Sequence, residues 1–271
     1  MKVLVTGATG LVGARLLPRL AEAGHDCRAL VRRPGSVPPD VTEVIGDLCD
    51  CESLAAAVRG VEAIVHLAAV FRTADTDLMW KTNLDGTANL IAAAQQHAPG
   101  TRLIMASTAH VYNADSTRPG REDDPVDPKQ AYPASKLAAE NALRSSDLTW
   151  TIQRYGFVYG DGDGHLESLP AHAANAGMHP AQRMSLVHHR DIATATRLAL
   201  TGAWDGRIVN ITDEAPTSLY ELVEIAGGAM DPSSRALEHP WHLHMNGALA
   251  RRLGFRPSVR TIHHAIEQKV M

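Results

Sequence analysis

Positive charge is not in excess: 26 Lys and Arg stand against 30 Asp and Glu, a formal net charge of −4. Without a basic surplus, general attraction to nucleic acid or to an acidic membrane surface is excluded. No apolar run approaches the ~20 residues that cross a bilayer. The chain opens on Lys2 and a short apolar stretch instead of a secretory leader, so a cytoplasmic protein is expected. Cysteine is scarce. Cys27, Cys49 and Cys51 cannot all pair, and Cys49-x-Cys51 lacks the second ligand cluster that a zinc site needs. Aromatics make up only 4%, and Trp150, Trp204 and Trp241 are too scattered for a base-stacking platform.

What is present suits a globular enzyme. The 271 residues, 45% hydrophobic, are enough for one large domain or a domain with a smaller lobe. The informative stretch comes first. Residues 3–6 read as a buried strand, and Gly7-Ala8-Thr9-Gly10-Leu11-Val12-Gly13 turns it into a helix whose free N–H groups form a phosphate seat. Gly7 makes the turn, Gly10 lets a pyrophosphate approach the backbone, and Gly13 allows close packing of helix on strand. The spacing, G-x-x-G-x-x-G, departs from the commoner G-x-G-x-x-G, and an ordinary tight strand-to-helix turn is the competing reading.

In chain order, residues 14–23 read as a helix ended by Gly24, with Pro18 bending it unless the helix is offset. Residues 26–31 form a second strand. Its end meets the adenosine ribose in dinucleotide folds, where an acidic residue selects NAD. Here Arg32 and, as second choice, Arg33 follow Val31, and a guanidinium fork suits the 2′-phosphate of NADP. Residues 41–45 form a third strand ending at Asp47-Leu48, where Asp47 accepts from adenine or starts the helix 52–59. Residues 63–69 read as a buried strand, His66 as a core residue, and Leu67, Ala68 and Ala69 as small walls for a flat ligand. A long helical stretch, 77–96, is interrupted near Asn83, which bonds the neighbouring strand end or a cofactor ribose, or faces water. Residues 102–106 give another strand ending in Ser107 and Thr108. After a polar loop, 113–129, a helix runs to Leu143 with Tyr132 and Lys136 one turn apart on one face. Later segments read as a strand at 148–155, a turn at 161–165, a short strand at 185–188, a helix at 191–200, a strand at 207–211 and a helix at 218–226 capped by Thr217 or Ser218.

These motifs occur in a shared order: the glycine turn, Asp47-Leu48, His66 to Ala69, Asn83, Ser107-Thr108 with Val111-Tyr112, and Tyr132-x-x-x-Lys136. Arg154-Tyr155-Gly156-Phe157-Val158, His188-x-x-Asp191, Asn210 and the closing Leu253 to Pro257 follow. Together they resemble the extended short-chain dehydrogenase/reductases, the group named NAD-dependent epimerase/dehydratases, over nearly the whole chain. The resemblance implies an α/β, Rossmann-type doubly wound parallel sheet over residues 1–165, with 185–215 contributing. It implies a discontinuous substrate lobe from 166–184 and 216–271, and a homodimer. It makes Thr108, Tyr132 and Lys136 catalytic. It assigns the cofactor to Gly7, Thr9, Gly10, Leu11, Val12, Gly13, Arg32, Arg33, Asp47, Leu48, Leu67, Ala68, Ala69, Asn83, Ser107, Tyr132, Lys136, Tyr155, Gly156 and Val158. NADP is the expected cofactor, NAD the second choice, and no metal is required, the His242-x-His244 pair notwithstanding.

The chemistry follows from the side chains. A free phenol has a pKa of about 10 and is a poor base near neutrality, so an ammonium and the positive nicotinamide ring held close favour the phenolate. Sugar-nucleotide members carry an Asn at the position of Phe157 and an Arg at that of Met184, both for the substrate diphosphate. Their absence, with Arg183 one position off and Asn113 replacing a Gly, points to a small carbonyl or alcohol substrate without a nucleotide handle. The alternatives are a sugar-nucleotide epimerase or dehydratase, and a non-catalytic NADP-sensing regulator.

Overall fold

The computed structural model describes residues 1–271. Its frame is a seven-stranded parallel sheet. In chain order the strands are β1 (Lys2–Thr6), β2 (Asp26–Val31), β3 (Thr42–Ile45), β4 (Ala63–His66), β5 (Arg102–Thr108) and β6 (Thr149–Tyr155). Short strands β7 (Phe157–Tyr159), β8 (Arg183–Met184) and β9 (Leu186–His188) precede the seventh sheet strand, β10 (Arg207–Ile211), and β11 (Thr217–Ser218) follows it. The sheet order is β10-β6-β5-β4-β1-β2-β3. The helices are α1 (Gly13–Glu22), α2 (Cys51–Val58), α3 (Thr76–Trp80), α4 (Gly86–His97), α5 (Ala131–Arg144), α6 (Leu169–Asn175), α7 (His189–Leu200), α8 (Leu219–Ile225), α9 (Ala248–Arg252) and α10 (Ile262–Glu267). The doubly wound α/β fold is therefore as expected from the sequence.

Both faces of the sheet are covered, which is why its strands are continuous apolar runs instead of alternating ones. On β1, Val3 and Val5 join Leu16, Leu17 and Leu20 of α1 and Ile192 and Ala195 of α7 in one core. Leu4, between them, points the other way to Leu54 of α2, Leu90 of α4 and Leu143 of α5. A third core, with Tyr159, Leu169, Leu222 and Ile262, gathers the segments beyond β6.

Most elements match their expected ranges, and β2 and β10 do so residue for residue. The differences have local causes. Pro18 stays inside α1, which is not offset. The helix at 51–58 is capped by Asp50, which accepts from Glu52 N–H, while Asp47 accepts from Cys49 N–H; Asp47 does not start the helix. The strand read at 63–69 ends at His66. Ser218, not Thr217, caps α8. β7, α6, β8, β11 and α9 were not read from the sequence.

The sheet reverses direction between β1 and β4, and open α/β sheets bind ligands in the crevice at the carboxyl ends of strands at such a point.

Candidate active site

At the end of β1 the backbone approach is tighter than any side chain allows. Gly7 has φ +68°, and a Cβ on it would lie 2.6 Å from the backbone nitrogen of Ala68. A Cβ on Gly13 would lie 2.1 Å from the carbonyl oxygen of Gly7, whereas one on Gly10 would meet only that oxygen, at 3.2 Å. Gly7 thus closes the turn on β4 and Gly13 packs α1 against it. Gly10 leaves open space at the helix start. Val12 gives α1 no side-chain cap, and the N–H groups of Leu11 and Val12 have no acceptor in the chain. Free amides over an open cradle are the donor set that an anion requires.

A cleft runs from this turn along the strand ends. Thr9, Gly10, Leu11, Val12 and Gly13 line it, with Arg32, Asp47, Leu48, Leu67, Ala68 and Ala69. Arg33 is not among its walls. It lies with Arg32 in the exposed bend that follows β2. Exposed Cys49 also faces the cleft.

Asn83 is a correction. The helical stretch is not broken near it: α3 and α4 are joined by a π-helical turn, Lys81–Asp85. Asn83 is fully buried there, accepting from Val70 N–H at 2.7 Å and donating to the Val70 carbonyl at 3.0 Å and to Ser135 Oγ at 3.0 Å. Its amide clamps the loop after β4 to α5 and lines neither cavity. Of the readings open at the sequence level, the bond to the neighbouring backbone holds, and full burial keeps the amide from water. His66 is likewise core, spanning Thr6 at 2.7 Å and Thr87 at 2.9 Å, and burial pushes its pKa down to about 3.

The cleft continues into a second cavity of about 240 Å³, sharing Leu11, Val12, Leu67 and Ala69 as walls. Thr108 at the end of β5, and Tyr132 and Lys136 on α5, face it together. α5 starts at Ala131, with Pro133 in its first turn where no N–H is needed, so the helix begins early enough to present Tyr132. Burial raises the phenol to about 12, while the neighbouring Thr108 hydroxyl pulls the other way. Burial lowers the Lys136 ammonium to about 8 against the pull of Glu140. The chain alone therefore holds Tyr132 protonated at neutrality and Lys136 near its titration point. Tyr155, Gly156 and Val158 line the same cavity.

Ser107 also reaches that wall, but its hydroxyl is committed behind it, donating to Glu140 at 2.5 Å. Glu140 is fully buried and takes Arg154 Nε at 3.0 Å and Nη2 at 2.6 Å. Burial works against the Arg154 charge, and the Glu140 carboxylate outweighs it, leaving the pKa raised. Arg154 lies 5.0 Å over the Tyr112 ring, whose hydroxyl donates to Asn210 at 2.7 Å. Sequence reasoning missed this network, although Glu140 follows Lys136 at the same four-residue step that linked Tyr132 to Lys136.

Of the remaining walls, Phe71, Arg72, His110, His165, Leu169, His172, Met178 and Leu243 went unread, because they come from separate stretches that no sequence periodicity joins. Phe157 and Met184 do line the cavity, and Arg183 is exposed on β8 outside it. Among the histidines outside the cavity, His188 Nε2 donates to the Val270 carbonyl and His189 Nε2 to Asp163. No three His, Cys, Asp or Glu side chains converge as metal ligands.

A switch-point cleft with a glycine-lined helix start, joined to a Thr–Tyr–Lys cavity, defines an enzyme of the short-chain dehydrogenase/reductase class. Within it, the chain belongs to the NAD-dependent epimerase/dehydratase family, whose sequence model matches residues 3–212. It is 29% identical over 284 residues to a 3-beta-hydroxysteroid dehydrogenase of Mycolicibacterium neoaurum, spanning 91% of this chain and 75% of that one. Among solved structures it resembles a short-chain dehydrogenase/reductase superfamily protein from Agrobacterium tumefaciens with bound NAD. The TM-score is 0.83 at 24% identity, over 99% and 95% of the two chains. It also resembles the UDP-glucose 4-epimerase of Thermus thermophilus in complex with NAD, with TM-score 0.77 and 26% identity over 97% and 98%. No helix is long and apolar enough to cross a membrane.

Proposed function

We propose that the protein transfers hydride between NADP(H) and a small ketone or aldehyde, or the corresponding alcohol. The observation that carries this reading is one cavity faced by Thr108, Tyr132 and Lys136 and walled in common with the glycine cleft. The cofactor's diphosphate would rest on the Leu11 and Val12 amides, its adenosine between Arg32, Asp47 and Leu48, and its nicotinamide ribose on Lys136. Bound so, the nicotinamide supplies or accepts the hydride. Thr108 and Tyr132 would hold the substrate oxygen between their hydroxyls, and Tyr132 gives that oxygen its proton in reduction and takes it in oxidation. Residues 1–165 with 185–215 would carry the cofactor and 166–184 with 216–271 would select the substrate. A cytoplasmic homodimer belongs to the same reading.

The test is nicotinamide absorbance during incubation with NADPH and a carbonyl panel, then with sugar nucleotides. Sugar isomerisation with no net change in cofactor overturns the redox reading in favour of an epimerase. The likeness to the Thermus epimerase favours that alternative; Phe157 and Met184, apolar in the substrate wall, oppose it.

The Arg32 guanidinium has no acidic partner in the chain. Arg32→Ala is expected to raise the Kd for NADPH about 10- to 100-fold, the range of a lost charge-assisted contact, with little change for NADH. Equal loss for both cofactors in a fluorescence titration assigns NAD instead.

Reduction needs Tyr132 as donor and Lys136 as cation. The phenol, at about 12, stays protonated far above neutrality, whereas the ammonium, at about 8, loses its proton as pH rises through that value. Because kcat/KM reports groups of the free enzyme, it should be level near neutrality and fall about tenfold per pH unit above the Lys136 pKa. A falling limb only near 12 would take Lys136 out of the mechanism.

A further inference from the structure

The substrate cavity holds basic side chains and no acidic one. Arg72, His110, Lys136, His165 and His172 line it, and none of its 24 lining residues is Asp or Glu. The arginine is the decisive one. Arg19, Arg102 and Arg154 are paired with the carboxylates of Asp161, Asp205 and Glu140. Arg72 is held instead by neutral acceptors. Its Nη2 lies 2.9 Å from His165 Nε2 and its Nη1 3.3 Å from Ser168 Oγ.

The imidazole's state follows from its other contact. His165 Nδ1 lies 2.8 Å from the Val158 carbonyl, which can only accept, so Nδ1 carries the hydrogen and Nε2 offers a lone pair to Arg72. Burial, with Arg72 as a further cause, lowers the His165 pKa and keeps the ring neutral. The ring itself is stacked on Phe157 at 4.3 Å, and Ser168 Oγ donates to the His165 carbonyl at 2.7 Å. The support orients the guanidinium without neutralising it. Arg72 also adopts φ +57°, a left-handed conformation that a non-glycine residue holds at a cost of about 1 kcal/mol or more.

Position relates this charge to the reacting groups. The Phe71 ring lies 4.5 Å from the Tyr132 ring and 5.1 Å from the Arg72 guanidinium carbon. The proton donor and the unpaired cation thus pack against one shared aromatic ring. The walls between and around them, Phe157, Leu169, Met178, Met184 and Leu243, are apolar.

Deepening the reading of this site as a carbonyl reductase, we infer that its substrate is a ring-bearing carbonyl compound, or the matching alcohol, that carries a carboxylate. Arg72 binds the carboxylate, the apolar walls hold the ring, and the reacting carbonyl lies at Tyr132 and Thr108. Arg72 is then a specificity-determining residue.

The test measures binding and turnover separately. Pairs of ring-bearing keto acids and their methyl esters, such as 4-acetylbenzoate with methyl 4-acetylbenzoate and its cyclohexyl counterpart, are titrated calorimetrically into the full chain holding NADP⁺. No reduction occurs in that complex. The acid is expected to bind at least about tenfold more tightly than its ester, the worth of one charge-assisted contact. In Arg72→Ala that ratio should collapse toward one, and Arg72→Lys should restore part of it. The same pairs with NADPH should show the difference in KM more than in kcat. An ester that binds as well as its acid in every pair, or a ratio unmoved by Arg72→Ala, overturns the inference. An acid preference without reduction of any member would retain the anion site and remove the reductase reading.

Discussion

Tyr132→Phe is expected to lower kcat for carbonyl reduction by about a thousandfold, within the usual worth of a positioned general acid. The substitution removes one hydroxyl and keeps the ring that packs on Phe71 at 4.5 Å. Folding and cofactor affinity should therefore change little, which separates loss of the proton donor from loss of the site. Burial makes the phenol a reluctant phenolate, at about 12, and so a donor that is always charged with its proton. Oxidation needs the reverse, and the cations around the phenol must then pull its pKa down. The variant should be examined in both directions by single-turnover kinetics, with cofactor binding followed by fluorescence. Turnover within a factor of a few of the parent enzyme would mean that another group, with Thr108 the nearest, protonates the substrate.

Glu140→Ala is expected to cost about 3–5 kcal/mol of stability, because it strands a buried guanidinium without its counter-charge. Arg154 is 2% exposed and receives no other carboxylate, and Ser107 loses its acceptor in the same step. For a chain of this size that corresponds to a fall in Tm of about 10 °C, measurable by calorimetry alongside urea unfolding. A paired Glu140→Leu, Arg154→Met variant should regain most of the stability, since well-packed apolar residues can replace a buried ion pair at little cost. It should not regain full activity, because Lys136 would still lack the carboxylate that opposes the effect of burial on its ammonium. A loss below about 1 kcal/mol for the single variant would show that the guanidinium is hydrated in place.

Tyr132, Lys136 and Thr108 were legible because each lies in a local pattern: a four-residue helical step, and a hydroxyl at a strand end. Asn83 was visible as a polar residue out of place, yet its task depended on a π-helical turn that no periodicity announces. Arg33 was the second choice to Arg32, and the folded chain sets Arg32 alone at the cleft. Ser107 was placed on the cofactor, whereas its hydroxyl serves Glu140, thirty-three residues on.

The chain's own pattern of apolar runs, glycine turns and helix signals determined the parallel sheet and set Tyr132 and Lys136 on one helix face. Both depend on interactions within a few residues or on burial of whole segments. Only the tertiary structure decided which charges are spent and which are free. Arg154 stood in a sequence motif and Arg72 in none, and neither showed its partner; one is neutralised by Glu140 on α5, and the other stands at the cavity on neutral support. A charge's availability depends on what folds against it from distant segments, and that information is absent from any local stretch of sequence.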